Sequence, residues 1–122
     1  MSDETRPGVR RIEKPWGYEL LWAKTDRYVG KVIHVTAGQA LSLQYHNRKT
    51  ETIYLHSGRL LFEIQEGDKL VSRQMQPGDR IHVPAGTVHR MTAIDDVDIF
   101  EVSTPEIDDV VRLEDRYGRA DK

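Results

Sequence analysis

Apolar and polar side chains alternate along most of this chain with a period of two. Ile53 and Leu55 fall on one side while Thr52, Tyr54 and His56 fall on the other, and Leu43 and Tyr45 alternate with Gln44 and His46. Successive side chains of a strand leave opposite faces, so this is the β period and not the helical one. The pattern predicts strands over 18–23, 28–36, 41–46, 52–56, 59–65, 69–75, 80–83, 89–93 and 97–103. Between them stand turn residues: Ala37-Gly38, Ser57-Gly58, Glu66-Gly67-Asp68, Pro77-Gly78-Asp79 and Asp95-Asp96. Short strands with regular punctuation predict an all-β sandwich or barrel. Residues 1–11 are charged and carry Pro7-Gly8, and read as a flexible arm; 12–105 read as the barrel and 106–122 as a tail. Within that tail, Ile107 to Asp115 fits a short helix or an extended arm. Trp16 and Trp22, close together near the start, are expected to seal one end of the barrel.

Composition narrows the functional classes. A chain of 122 residues is ordinary for one domain with a core of its own. Eighteen basic residues against twenty acidic ones leave a net charge of −2, so no global field draws the protein to nucleic acid or an anionic membrane. Cysteine is absent, which excludes disulfides and thiolate chemistry and leaves nitrogen and oxygen as metal ligands. No apolar stretch approaches the roughly 18 residues of a membrane span, and the polar start lacks a signal-peptide core. The expected location is the cytoplasm. The edges of a small open sandwich need cover, and with the terminal segments they predict a homodimer.

Candidate chemistry gathers in two short runs. Period-two geometry puts Gln44 and His46 on one strand face, Glu51 opens the next strand, and His89 follows Pro84-Ala85-Gly86. If these faces converge inside a barrel, two imidazoles, a carboxylate and an amide oxygen surround one point. That donor set suits a divalent first-row metal: zinc is the first expectation, with manganese, iron, cobalt or nickel as alternatives. The lone H-x-x-x-x-E spacing is weak evidence. The frame is stronger, because Gly38, Gly58, Gly78 and Gly86 stand where turns between strands need φ > 0.

On these residues the chain resembles the cupin superfamily. The first cupin motif, G-x5-H-x-H-x3/4-E-x6-G, is matched by Gly38, Gln44, His46, Glu51 and Gly58, with glutamine in place of the first histidine. The second, G-x5-P-x-G-x2-H-x3-N, is matched by Gly78, Pro84, Gly86 and His89, with Ala93 in place of the asparagine. Lys14-Pro15-Trp16-Gly17-Tyr18, the 41–46 run and Val111 to Arg119 narrow the resemblance to the type II phosphomannose isomerase domain. In that family the domain is often fused to a mannose-1-phosphate guanylyltransferase. The resemblance implies a double-stranded β-helix, or jelly roll, and a metal-dependent isomerase of mannose 6-phosphate or a related hexose phosphate. The family's usual Q-M-H-H-H-R-S-E-H-W reads here Gln44-Tyr45-His46-Asn47-Arg48-Lys49-Thr50-Glu51-Thr52-Ile53. The tail run from Arg112 to Arg119 reads equally as a solvated face or as a cover over the barrel mouth or a partner subunit.

An aldose–ketose isomerase moves a proton between adjacent carbons, which needs a base and a cationic centre at the sugar oxygens. Gln44, His46, Glu51 and His89 would hold the metal. Glu101, on a face with Val97 and Ile99, is the candidate base, though an ion-paired structural role fits it as well. Lys49 is a candidate for the catalytic step and for phosphate binding. Lys31, Arg48 and Arg90 are further phosphate candidates, Arg90 alternating outward toward the rim or a salt bridge. Two other classes remain open: a cupin dioxygenase, and a non-catalytic sugar-binding or sensor module, which the changes at Asn47 and Thr52 favour.

Overall fold

The computed structural model of this protein describes residues 4–6 and 8–121. The strands are β1 (Glu4–Arg6), β2 (Val9–Lys14), β3 (Gly17–Lys24), β4 (Val29–Val35), β5 (Leu43–Tyr45) and β6 (Glu51–Ser57). They continue with β7 (Leu60–Glu66), β8 (Lys69–Met75), β9 (Arg80–Val83), β10 (His89–Ala93), β11 (Val97–Ser103) and β12 (Val111–Glu114). They form two antiparallel sheets, ordered β1-β2-β3-β4-β11-β6-β9 and β12-β5-β10-β7-β8. This is the all-β sandwich that the alternation predicts, in the jelly-roll form that the resemblance implies. Among the described residues no helix is long and apolar enough to cross a membrane.

The alternation also sets what is buried. On β6, Glu51, Ile53 and Leu55 point inward, while Thr52, Tyr54 and His56 point outward. β11 repeats this with Val97, Ile99, Glu101 and Ser103 inside. Ile33, Val35, Ile53, Leu55, Val97 and Ile99 of the larger sheet face Leu60, Phe62, Met75, Met91 and Ala93 of the smaller one. Burying each large apolar side chain contributes about 1.5–3 kcal/mol, so this apolar half of the interior carries the cost of the polar half described below.

Four expectations need correction. The segment 1–11 is not a separate arm: Glu4–Arg6 and Val9–Lys14 extend the larger sheet, with Arg10 opposite Leu21 and Ile12 opposite Glu19; residues 1–3 and 7 lie outside the described residues. Arg10 is exposed near the sheet edge, where charges discourage further strand addition. The tail from 106 is likewise part of the barrel, because β12 pairs with β5 and takes the extended rather than the helical alternative. The predicted strand over 41–46 is reduced to Leu43–Tyr45, since the chain then turns to cross from one sheet to the other. Trp16 is buried at 3% exposure, but Trp22 is 53% exposed. Parity decides it: Glu19 and Leu21 take the inward face of β3, and Trp22 lies outside over Gly30, where a Cβ would come within 2.9 Å of its ring.

Gly58 joins β6 to β7 at φ 79°, and a Cβ there would collide with the Asp96 carbonyl oxygen. Gly78 also has positive φ, at 99°, but open space around it. We expect Gly78→Ala to cost about 1–2 kcal/mol of stability from left-handed backbone strain alone, and Gly58→Ala clearly more. Denaturant unfolding of both variants checks this; equal losses would show that the Asp96 contact is not the constraint.

Candidate metal centre

Three of the four predicted ligands meet between the sheets. His46 follows β5, Glu51 opens β6 in the opposite sheet, and His89 opens β10 beside β5. The turn 47–50 therefore crosses the sandwich, placing His46 and Glu51 on opposite walls of one interior. Their ligand atoms and that of His89 lie within 4.8 Å of one another, and all three residues are buried. His46 Nε2 stands 2.8 Å from Glu51 Oε1. The His46 and His89 rings are 5.3 Å apart at 49°, and Phe62 stacks on the other side of His89.

The far nitrogen of each ring is committed to the backbone. His46 Nδ1 lies 2.6 Å from the Asp109 carbonyl oxygen and His89 Nδ1 lies 2.9 Å from that of Thr87. A carbonyl only accepts, so both Nδ1 atoms carry the proton and both Nε2 atoms present a lone pair. His46 Nε2, His89 Nε2 and Glu51 Oε1 are buried without a hydrogen-bond partner. Each such atom costs about 1–3 kcal/mol if left unmatched. Three of them aimed at one point are the signature of a cation site, and the donor set fits a divalent metal ion.

Electrostatics agree with that reading. Burial lowers the pKa of His89, which keeps the ring neutral and able to bind metal. Burial opposes the charge of Glu51, yet the Lys49 ammonium beside it favours the carboxylate, and the carboxyl is held well below the usual range. Lys49 Nζ is 3.6 Å from Glu51 Oε1 and 3.5 Å from Glu101 Oε2. Burial works against its charge too, but the carboxylates of Glu101 and Glu51 prevail and raise its pKa. Burial, and then the charge of Glu51, push Glu101 up to about 8.

A residue that no motif marks holds this arrangement in place. The Asp109 carboxylate accepts the backbone N–H of Asn47 at 3.0 Å, of Arg48 at 2.7 Å and of Lys49 at 2.9 Å, while its carbonyl takes the His46 ring. The turn between two candidate ligands is thus tied to the tail. The amides of Arg48, Lys49 and Asn47 hold the Asp109 carboxyl down at about 2. On the other side Gly86, in the turn before His89, donates its N–H to the His46 carbonyl at 2.7 Å.

Beside His46 a cavity of about 90 Å³ opens, lined by Gln44, Lys31, Lys49 and Glu101 and by Ile107 and Val110 of the tail. Of the two readings of the tail, the structure takes the cover: Arg112 and Arg119 border the cavity, and the Tyr117 hydroxyl reaches Gln39.

Residues 2–115 match the family model described as mannose-6-phosphate isomerase C-terminal. The chain belongs to this family. It is 34% identical over 116 residues to the mannose-1-phosphate guanylyltransferase ManC of Salmonella typhimurium, covering 90% of this chain and 23% of that protein. The chain thus spans about a quarter of the length of the curated relatives it matches. Among solved structures, KdgF from Halomonas sp. superposes with a TM-score of 0.64 at 22% identity, over 86% of this chain and 87% of that one. An oxalate decarboxylase variant from Bacillus subtilis gives 0.76 at 15% identity, over 88% of this chain and 31% of that one. These likenesses show a shared cupin fold.

Within this mannose-6-phosphate isomerase C-terminal domain the other predicted residues separate into two groups. Gln44 lies opposite His89 in the sheet and faces the cavity, with its Oε1 accepting the Ser42 hydroxyl at 2.6 Å. Lys31, Lys49 and Glu101 are buried at the cavity wall, Lys31 at 3.1 Å from Glu19. Arg48 is exposed in the 47–50 turn, and Arg90 pairs with Glu63 at 2.9 Å and Glu114 at 3.3 Å on the outer face. Neither reaches the cavity, because one sits at the apex of a turn and the other alternates away from His89. Sequence reasoning missed Glu19 and Asp109; Lys31 on β4 predicts a buried counter-charge, but nothing in the tail distinguishes Asp109 from Asp108.

Removing an imidazole that has a free lone pair should empty the site more than removing an amide. We expect His46→Ala and His89→Ala to abolish most metal loading and Gln44→Ala to lose much less, read as metal content of the purified proteins. For Asp109→Ala we expect metal affinity lower by about tenfold, the range for lost outer-sphere support. Its folded pKa lies below the ordinary 3.8, so the stability it contributes is complete above that value and is lost as pH falls through about 2. Wild type and variant should therefore differ in stability at neutral pH and converge in acid unfolding near the lower value. A constant gap down to that pH would rule out the carboxylate as the cause.

Proposed function

We propose that this domain is a metal-dependent isomerase of a hexose phosphate, with mannose 6-phosphate the first candidate. The observation that carries it is the meeting of three buried ligand atoms without hydrogen-bond partners, one of them on His46 at the wall of a cation-bordered cavity, in a chain of the mannose-6-phosphate isomerase C-terminal family. His46, Glu51 and His89 would hold the ion, with Gln44 as a weaker neighbour. A bound divalent ion supplies Lewis-acid stabilisation of the sugar oxygens.

This chain's own residues do the rest. Converting the open-chain aldose to the ketose takes the proton from C2, returns it to C1, and passes the O2 hydroxyl proton to O1. Glu101 is buried beside the ligand set and faces the cavity, which makes it the carrier of the carbon-bound proton. Lys49, held between Glu51 and Glu101, fixes that carboxyl group and offsets negative charge developing on the substrate. Ile107 and Val110 border the cavity from above and limit water at the reacting carbons.

The departures from the family's usual motif at Asn47, Arg48 and Thr52 lie outside the cavity and take no group from it. Thr52 stands on the outer face, 3.0 Å from His82, and Asn47 and Arg48 are exposed in the turn. The position that does face the cavity, Lys49, keeps the cationic character of the family's arginine.

A coupled assay tests the proposal. Metal-loaded protein should convert mannose 6-phosphate to fructose 6-phosphate, chelator should stop it, and Glu101→Gln and Lys49→Ala should each lower kcat by at least about a hundredfold, the scale of a lost proton carrier, with metal content retained. Absence of turnover together with absence of hexose-phosphate binding, metal being present, would reject the isomerase in favour of the dioxygenase or sensor reading.

A further inference from the structure

Five cationic side chains border the cavity: Lys14, Lys31, Lys49, Arg112 and Arg119. Three of them are matched. Lys31 meets Glu19 at 3.1 Å, Lys49 meets Glu101 at 3.5 Å, and Arg119 grips Asp115 with two bonds of 2.9 Å. Lys14 and Arg112 make no side-chain hydrogen bond or ion pair among the described residues. They come from opposite ends of the chain, Lys14 from the end of β2 and Arg112 from β12, so only the closed fold brings both to one mouth.

The smaller sheet sets the distance of Arg112 from the ligands. Arg112 is the cross-strand partner of Gln44, and Gln44 is the partner of His89. Neighbouring strands lie about 4.8 Å apart, so the backbone positions of Arg112 and His89 are separated by about 10 Å. His89, Gln44 and Arg112 thus form a row that runs from a cation site, past a neutral amide, to an unmatched guanidinium. A six-carbon chain with a terminal anion bridges such a span, its oxygenated carbons at one end and its charge at the other.

We propose that Lys14 and Arg112 form the subsite for the phosphate of a sugar phosphate whose other end sits at His46, Glu51 and His89. The assignment deepens the function proposed above and rests on it. Two cations without counter-charges match a phosphate dianion, and a guanidinium fork suits paired phosphate oxygens. It also replaces Arg48 and Arg90, the phosphate candidates that the fold leaves outside the cavity.

Inorganic phosphate and mannose 6-phosphate, each titrated calorimetrically into the metal-loaded chain, test the assignment. Arg112→Ala and Lys14→Ala should each weaken both ligands by at least about tenfold, the loss of one charge-assisted hydrogen bond, with metal content unchanged. Arg112→Lys should recover part of the affinity, and Arg73→Ala, which removes an exposed charge on β8, should change nothing. The two sites are far apart in sequence, so a folding defect in one variant leaves the other informative. Phosphate affinity equal to wild type in both alanine variants would overturn the subsite, as would wild-type protein that binds mannose 6-phosphate but no inorganic phosphate. Undiminished mannose 6-phosphate turnover in both variants would overturn the subsite while sustaining the isomerase. Phosphate binding lost in both variants, from a wild type that never turns over the sugar, would sustain the subsite and reject the isomerase.

Discussion

Two imidazoles and a carboxylate can be buried between apolar sheets only if every polar atom not facing an ion has a fixed partner. Here that requirement falls chiefly on Asp109. Its carbonyl fixes the proton of His46 on Nδ1, and its carboxylate collects three amides of the turn that separates His46 from Glu51. The same short stretch supplies Ile107 and Val110 above the cavity and leads into β12, which carries Arg112. Ligand orientation, cavity cover and mouth charge are therefore consequences of one docking event, the tail closing against the smaller sheet.

The elements that could be read from the sequence are those with a local cause. Alternation placed Glu51, Ile53 and Leu55 on one face because a strand has no other way to arrange them, and the motif glycines at 38, 58, 78 and 86 all have φ between 79° and 99°. Parity likewise put Lys31, Glu101 and His89 inside. What escaped depends on contacts remote in sequence. Asp109 acts on residues about sixty positions away, and its neighbour Asp108 has the same composition around it. Charge near a sheet edge and charge in a solvated arm look alike until the pairing partner is known, so β1 and the start of β2 read as an arm and the segment of β12 reads either way. Trp22 shows the opposite fault: parity was available, but its size suggested burial, and the missing Cβ at Gly30 gave the ring an external seat.

The interior is divided by function along the length of the strands. At one end of β6 and β11 the inward positions are Ile53, Leu55, Val97 and Ile99, all fully buried; at the other end the same faces carry Glu51 and Glu101. Polar residues on these faces are thus flanked by apolar packing that holds them rigid, which is what a site needs if donor positions are to be kept within a fraction of an ångström. Phe62 makes the coupling direct, since a core ring stacks on the His89 imidazole. The core is the support of the site as well as the source of stability.

A shared jelly roll does not choose among chemistries, because the same inward positions accept different side chains. In this chain the buried charges at the cavity are matched in pairs. Glu19 offsets Lys31, Asp115 offsets Arg119, and Glu51 offsets Lys49, which also approaches Glu101, so the wall of the cavity is close to balanced around the ligand set. An unmatched buried charge is destabilising unless something else uses it. The imbalance that remains is confined to the three ligand atoms, at one end of the His89, Gln44, Arg112 row, and to two cations at the cavity wall, of which Arg112 stands at the other end of that row. Under the proposed function, that arrangement of cations and ligand atoms fits an extended ligand with an anion at one end better than a small symmetric molecule that would meet the ligand atoms alone.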